Sequence, residues 1–185
     1  MDRSLLPLLA AVWLFACTTA GPPAAAASPR PTAPAPAAPP PITIRPPAEV
    51  VLADADTGLP GITVRDRVSL AEAASEQQNQ PLALTRYRAW GWVEEAVRGW
   101  AGGARRLDES LVLLTRGEGA TLAFQGWAGD LGERTPCPDT LGLDDCAAGA
   151  GGLVGRVGRY TFRLSGSGVD LEKLAGVQSA RIRRP

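Results

Sequence analysis

The stretch Arg86-Tyr87-Arg88-Ala89-Trp90-Gly91-Trp92-Val93-Glu94-Glu95-Ala96-Val97-Arg98-Gly99-Trp100 decides the fold, because it admits two periods. Trp90, Val93, Val97 and Trp100 fit one face of a helix, whereas Trp90, Trp92, Glu94, Ala96 and Arg98 alternate as in a strand. Gly91 and Gly99 disfavour a long helix, since glycine weakens a helix interior. Ala101-Gly102-Gly103 follows as a turn, and Arg105, Leu107, Glu109, Leu111 and Leu113 alternate again. A hairpin with strands near 91–100 and 104–115 is therefore expected.

Outward from the hairpin the pattern is mixed. Upstream, Ser69-Leu70-Ala71-Glu72 is a capping box that opens a short helix to about Gln78, and Val68 can staple onto Ala73. Downstream, Ala120, Phe124, Trp127 and Leu131 share helical spacing and predict a helix over 118–131. Residues 132–152, with two prolines, two cysteines and five glycines, are expected to be a loop. Val154, Arg156, Gly158, Tyr160, Phe162 and Leu164 predict a strand over 153–164, and Gly166-Ser167-Gly168 a turn. Asp170 then caps a last helix carrying Leu171, Leu174 and Ala175 on one face. The expected class is α+β, an antiparallel sheet with helices packed on one face. Gly91-Trp92, Leu111–Leu114, Gly119-Ala120 and Gly158-Arg159-Tyr160 resemble, in order and spacing, a small domain of uncharacterised lipoproteins from GC-rich bacteria. That resemblance covers about residues 82–184 and implies no activity.

The amino terminus has a different character. Arg3 precedes an apolar run, Leu5 to Ala16, which at 12 residues is too short to span a bilayer, a task needing about 20 residues. The run ends in Leu14-Phe15-Ala16-Cys17, which resembles the bacterial lipobox, with Phe15 bulkier than the usual occupant. The resemblance implies diacylglycerol on Cys17, cleavage before it and acylation of the new amino group. Two or three chains anchor stably where one does not, each buried methylene adding about 0.8 kcal/mol. The alternative is an ordinary secreted protein cut after Ala20 or within Ala24–Ala27, with Cys17 lost. Between Ala20 and Ala48, 21 of 29 residues are Ala or Pro, a composition that has too little to bury to offset its ordering entropy. Residues 17–48 thus read as a disordered tether, spanning at most about 90 Å in polyproline geometry. Residues 1–16 read as signal peptide and 49–185 as one small domain, large enough for a single core.

Composition excludes several chemistries. There is no histidine, which removes Ser-His-Asp and Cys-His catalysis and the commonest metal ligand. Lys173, the only lysine, sits in the first turn of the last helix, a poor place for a Ser-Lys dyad. Net charge is zero, so nothing steers the chain toward nucleic acid. Gly149-Ala150-Gly151-Gly152 is too short for a dinucleotide loop, and Gly117-Glu118-Gly119-Ala120 lacks a phosphate-loop lysine. Glu94-Glu95 and Asp108-Glu109 are the one source of a carboxylate pair, in which one of each would meet across the hairpin. Asp139, Asp144 and Asp145 lack the spacing of a calcium loop. Cys137 and Cys146 are left once Cys17 is assigned to lipid, and export to an oxidising compartment predicts a disulfide between them. Trp90, Trp92 and Trp100 form the candidate ligand-binding cluster, with core packing as the competing reading. The basic end, Arg181-Ile182-Arg183-Arg184, reads as a frayed tail or as a contact to acidic envelope polymer.

These readings combine into one expectation. The protein is a membrane-anchored, extracytoplasmic lipoprotein facing the periplasm or cell exterior, without catalytic residues, cofactor or metal. Its partners are the membrane, through the lipid, and an envelope ligand or protein. An envelope hydrolase built on carboxylates and a structural envelope protein are the alternatives.

Overall fold

A computed structural model of the protein describes residues 41–185. Cys17, the expected signal peptide and most of the expected tether lie outside the described residues. In chain order the elements are α1 (Pro47–Val50), α2 (Asp54–Thr57), β1 (Gly61–Val68), α3 (Leu70–Ser75), α4 (Gln80–Trp90), β2 (Trp92–Gly102), β3 (Arg105–Leu114), α5 (Gly117–Gly129), β4 (Arg134–Pro136), β5 (Asp145–Gly149), β6 (Gly152–Val157), β7 (Tyr160–Ser167) and α6 (Leu171–Arg183). A 3-10 turn, Asp139–Leu141, sits between β4 and β5. The seven strands form one sheet in the order β1-β2-β3-β7-β6-β5-β4, and each neighbouring pair is antiparallel.

The α+β class and the antiparallel sheet are as expected, but helices cover both faces instead of one. On one face Ala96, Trp100, Leu107, Leu111, Phe162 and Leu164 pack with Leu174, Ala175 and Ile182 of α6 and with Val50 and Leu52 around α1. On the other, Trp92, Val112 and Leu114 pack with Ala73 and Ala74 of α3, Tyr87 and Trp90 of α4, and Ala120 and Ala123 of α5. The reason is legible in β3: both its odd-numbered leucines and Val112 with Leu114 are buried, as in a strand covered twice.

The ambiguous stretch divides at one residue. Asn79 caps α4 by accepting the Leu82 amide (3.2 Å), and α4 ends at Gly91, whose φ of 73° closes the helix. An added Cβ at Gly91 would stand 2.1 Å from Thr115 Oγ1, so glycine is required on two counts. The helix reading holds for residues 86–90 and the strand reading for residues 92–100. The hairpin β2–β3 follows as expected. A bulge separates the pairs Trp92–Leu114 and Glu94–Leu113 and leaves Val93 as the extra residue. Trp92 therefore faces α3–α5, while Ala96, Arg98 and Trp100 face α6.

The capping box is present: Ser69 Oγ accepts the Glu72 amide (3.3 Å), and Glu72 Oε2 accepts the Ser69 amide (2.8 Å). The helices expected near 118–131 and after Asp170 are α5 and α6, with Asp170 accepting the Lys173 amide (2.9 Å). Four expectations need correction. The loop over 132–152 contains β4, the 3-10 turn and β5, whose small Ala147 and Ala148 carry little strand signal although Ala147 is buried beside Ala128 of α5. The single strand over 153–164 is the hairpin β6–β7, broken where Gly158 (φ 58°) turns the chain. The basic tail is the last turn of α6, with Ile182 in the core, Arg181 paired to Asp56 (2.9 Å) and Arg183 to Asp144 (2.7 Å). The boundary at Glu49 falls inside folded chain. Ile42 packs on the core, and the Arg45 amide and carbonyl both bond the Tyr160 hydroxyl (2.7 and 2.6 Å).

Candidate functional site

Cys17 lies outside the described residues. Cys137 and Cys146 lie at disulfide distance, their Cα atoms 5.5 Å apart. The three aspartates near them do not converge: Asp144 pairs with Arg183 and Arg156, Asp145 with Arg156, and Asp139 begins the 3-10 turn. Among the described residues no three carboxylate or thiol groups are placed to hold a metal ion, and no helix is long and apolar enough to cross a membrane.

The tryptophans are separated by the sheet. Trp90, Trp92 and Trp100 are 6, 8 and 1% exposed, so each is mainly core. Trp100 faces α6, where its Nε1 donates to Asp54 Oδ1 (2.8 Å). Trp90 is held by two glycines of α5. An added Cβ at Gly119 would stand 1.9 Å from the Trp90 carbonyl oxygen, and one at Gly126 would stand 2.6 Å from its indole ring. Each borders a recess: Trp90 one beside Thr115 and Gly119, Trp100 one with Asp54, Arg98 and Arg181, and Trp92 one with Glu95, Ser110, Trp127 and Arg163. Tyr87 stacks on Trp92, ring centroids 4.5 Å apart at 24°, and the Trp92 Nε1 has no acceptor among the described residues.

The charged dipeptides of the hairpin are separated in the same way. Glu95 lies opposite Val112, and Glu109 opposite Arg98, so the two buried carboxyls point to opposite faces. Glu94 pairs with Leu113 and Asp108 with Gly99, which leaves no carboxylate of one dipeptide beside one of the other. Glu109 is 1% exposed; its Oε2 accepts the Leu52 amide (3.1 Å), and its Oε1 has no partner among the described residues. Burial drives its pKa up to about 8, against the lowering effect of the Leu52 amide, Arg181 and Arg98. Glu95 is 7% exposed and accepts a hydrogen bond from Ser110 Oγ. Burial raises it to about 7, opposed by Ser110 and Arg65 and reinforced by Glu76.

Glu95 and Trp92 share one cleft of about 230 Å³ on the α3–α5 face. Its floor is Glu95 and Val97 of β2 with Ser110 of β3, its walls are Tyr87, Trp92 and Trp127, and Arg163 of β7 and Gln77 complete it. The sheet register sets this up. Val97 pairs with Ser110 and Ser110 with Arg163, so the three stand in a row on the same face, with Glu95 two residues further along β2. Trp92 and Trp127 belong to the tryptophan set that the sequence singles out for a ligand; Tyr87, Ser110 and Arg163 carry no local signal for a site, because register brings them together.

The fold and cleft define the class: a small α+β domain with a seven-stranded antiparallel sheet, helices on both faces and an aromatic-walled polar cleft under α3–α5. No family model, curated protein or solved structure shows a significant match to the chain.

Proposed function

We propose that the chain is a membrane-anchored extracytoplasmic lipoprotein whose domain is a non-catalytic binding module. The anchor rests on Leu14-Phe15-Ala16-Cys17 and the Ala/Pro-rich stretch behind it. The observation that carries the binding role is the cleft, where two indoles and a phenol surround the buried Glu95–Ser110 pair and Arg163. Convergent polar groups in an aromatic-walled recess are the ordinary makings of a ligand site. The carboxylate pair expected between Glu94-Glu95 and Asp108-Glu109 loses its support, since a glycosidase needs two carboxyls facing one bond and Glu95 and Glu109 face opposite sides of a sheet.

The two parts are tested separately. Intact mass of membrane-extracted protein is expected to begin at Cys17 with added acyl chains; a soluble species starting later overturns the anchor. In a tryptophan-fluorescence and thermal-shift screen of cell-wall fragments, lipids and small metabolites, a hit is expected to be lost in Trp127→Ala and Ser110→Leu variants. A hit that survives both substitutions overturns the cleft as the site.

A further inference from the structure

The floor of the cleft holds a carboxylate that no side chain neutralises. Among the described residues Glu95 forms no ion pair. Its Oε1 takes the Ser110 hydroxyl, while its Oε2 accepts no hydrogen bond from the described residues and is not shut off from solvent. The charged groups nearby supply no counter-charge. Glu76, at the rim, is a second carboxylate, and Arg65 is paired with it. Arg163 turns its Nη2 to Gly151, where an added Cβ would be 3.5 Å from it, and so away from Glu95. Beyond the rim the space continues. Glu76, Gln77 and Tyr87 line both this cleft and an adjoining recess of about 420 Å³, which runs on past Asn79 to the exposed Leu82.

We infer that the cleft binds an organic primary ammonium, its charge at Glu95 and its carbon body against Tyr87, Trp92 and Trp127, an inference that rests on the cleft being the binding site. An ammonium brings both things that Glu95 lacks, a positive charge and N–H donors for Oε2. The other ligand classes fit less well. An anion meets two carboxylates, and a neutral sugar leaves Glu95 without a counter-charge. A hard divalent cation takes about six to eight oxygens. Here it would find Glu95, Glu76 and Ser110 among aromatic walls, and no three carboxylate or thiol groups of the described residues are placed to hold it. Size points to an organic body on the charge. The cleft, at about 230 Å³, has the room of about seven or eight waters, at about 30 Å³ each, which is more than an ammonium head fills. The adjoining recess gives a longer body somewhere to lie.

The experiment titrates the full chain, in detergent, by calorimetry with butylammonium and benzylammonium at millimolar concentration, each beside its alcohol, 1-butanol or benzyl alcohol. At least one ammonium is expected to bind, and its alcohol at least tenfold more weakly. Both amines stay protonated between pH 6 and 8, whereas Glu95, raised to about 7 by burial, ionises across that range. Binding is therefore expected to be about tenfold tighter at pH 8 than at pH 6. The other groups that face Glu95 are Glu76, Arg65, Arg163 and Tyr87, whose own pKa burial pushes up. Glu95→Gln is expected to remove both the preference for ammonium over alcohol and the pH effect. The alcohols and the pH profile decide the matter if that variant fails to fold. No binding by either ammonium, binding that is equal at the two pH values, or a preference that persists in Glu95→Gln overturns the inference. Alcohol binding as tight as ammonium binding, and lost in Trp127→Ala, overturns the ammonium and keeps the cleft as the site. Ammonium binding that survives Trp127→Ala and Ser110→Leu overturns both.

Discussion

The two faces of the sheet each bury one glutamate of the same hairpin, and the surroundings of those two residues differ. Glu109 is sealed under α1 and α6, one oxygen on the Leu52 amide and the other without a partner among the described residues. Glu95 lies under a gap between the α3–α4 pair and α5, with Ser110 as donor and space above it. Both carboxyls are raised by burial, so a perturbed acid alone does not mark a site. What separates them is access. Glu109 lines no recess, although one beside Arg98 and Trp100 opens on the same face, whereas Glu95 forms the floor of the cleft that α3–α5 leave on the opposite face.

The comparison is broken most severely on the α6 face. Trp100→Ala empties a site that is 1% exposed and removes the bond to Asp54 Oδ1. A loss of about 3–5 kcal/mol is expected in urea unfolding. Glu109→Gln comes next, with an effect that depends on pH. A folded-state value of about 8, above the usual carboxyl range, means that folding takes up a proton. The wild-type stability contribution is full below about pH 4.5 and is lost as pH rises through 8. Glu109→Gln is expected to flatten that decline, making the variant the more stable form above pH 8 by a few kcal/mol. Glu95→Gln is expected to flatten a shorter window, ending near pH 7, because Glu95 is raised less. Unfolding curves at pH 5, 7 and 9 measure both; equal profiles for the two variants would erase the distinction between sealed and accessible carboxyls.

On the α3–α5 face, Gly119→Ala forces a methyl against the Trp90 carbonyl and pushes α5 from α4. A loss of about 1–3 kcal/mol is expected, together with altered fluorescence at Trp92 and Trp127 as the cleft changes shape. An effect of similar size belongs to the Cys137–Cys146 pair, whose cysteines are nine positions apart. Cys137→Ser with Cys146→Ser is expected to cost at most about 2–3 kcal/mol, leaving the cleft intact because neither cysteine lines it. Ligand affinity that falls with the disulfide would show that the β4–β5 edge shapes the site.

Much of the fold was legible locally. The capping box at Ser69, the hairpin either side of Gly102-Gly103, the caps at Asp170 and the spacing in α5 each depend on residues within one or two turns. Less was legible where strands are short or small-chained, as in β4 and β5, or where one glycine splits a run, as at Gly158 and Gly91. Residues 49–68, which carry no assignment in the sequence reading, hold α1, α2 and β1; β1 is a sheet edge with Ile62 and Val64 exposed, so burial gives it no alternation. The candidate site was the least legible part. The tryptophans read as one cluster because they sit two and eight residues apart, and a one-residue bulge at Val93 sends Trp92 and Trp100 to opposite faces.

By itself, the sequence determined the missing histidine chemistry, the α+β class and the pairing of Cys137 with Cys146, and it carries the expectation of lipid at Cys17, because composition and short-range spacing underlie all four. Only the tertiary structure decided which faces the helices cover, which glutamate is sealed and which meets a cleft, and that Arg163 completes it. Those depend on register between strands far apart in the chain, and one inserted residue reverses the face to which every later side chain points.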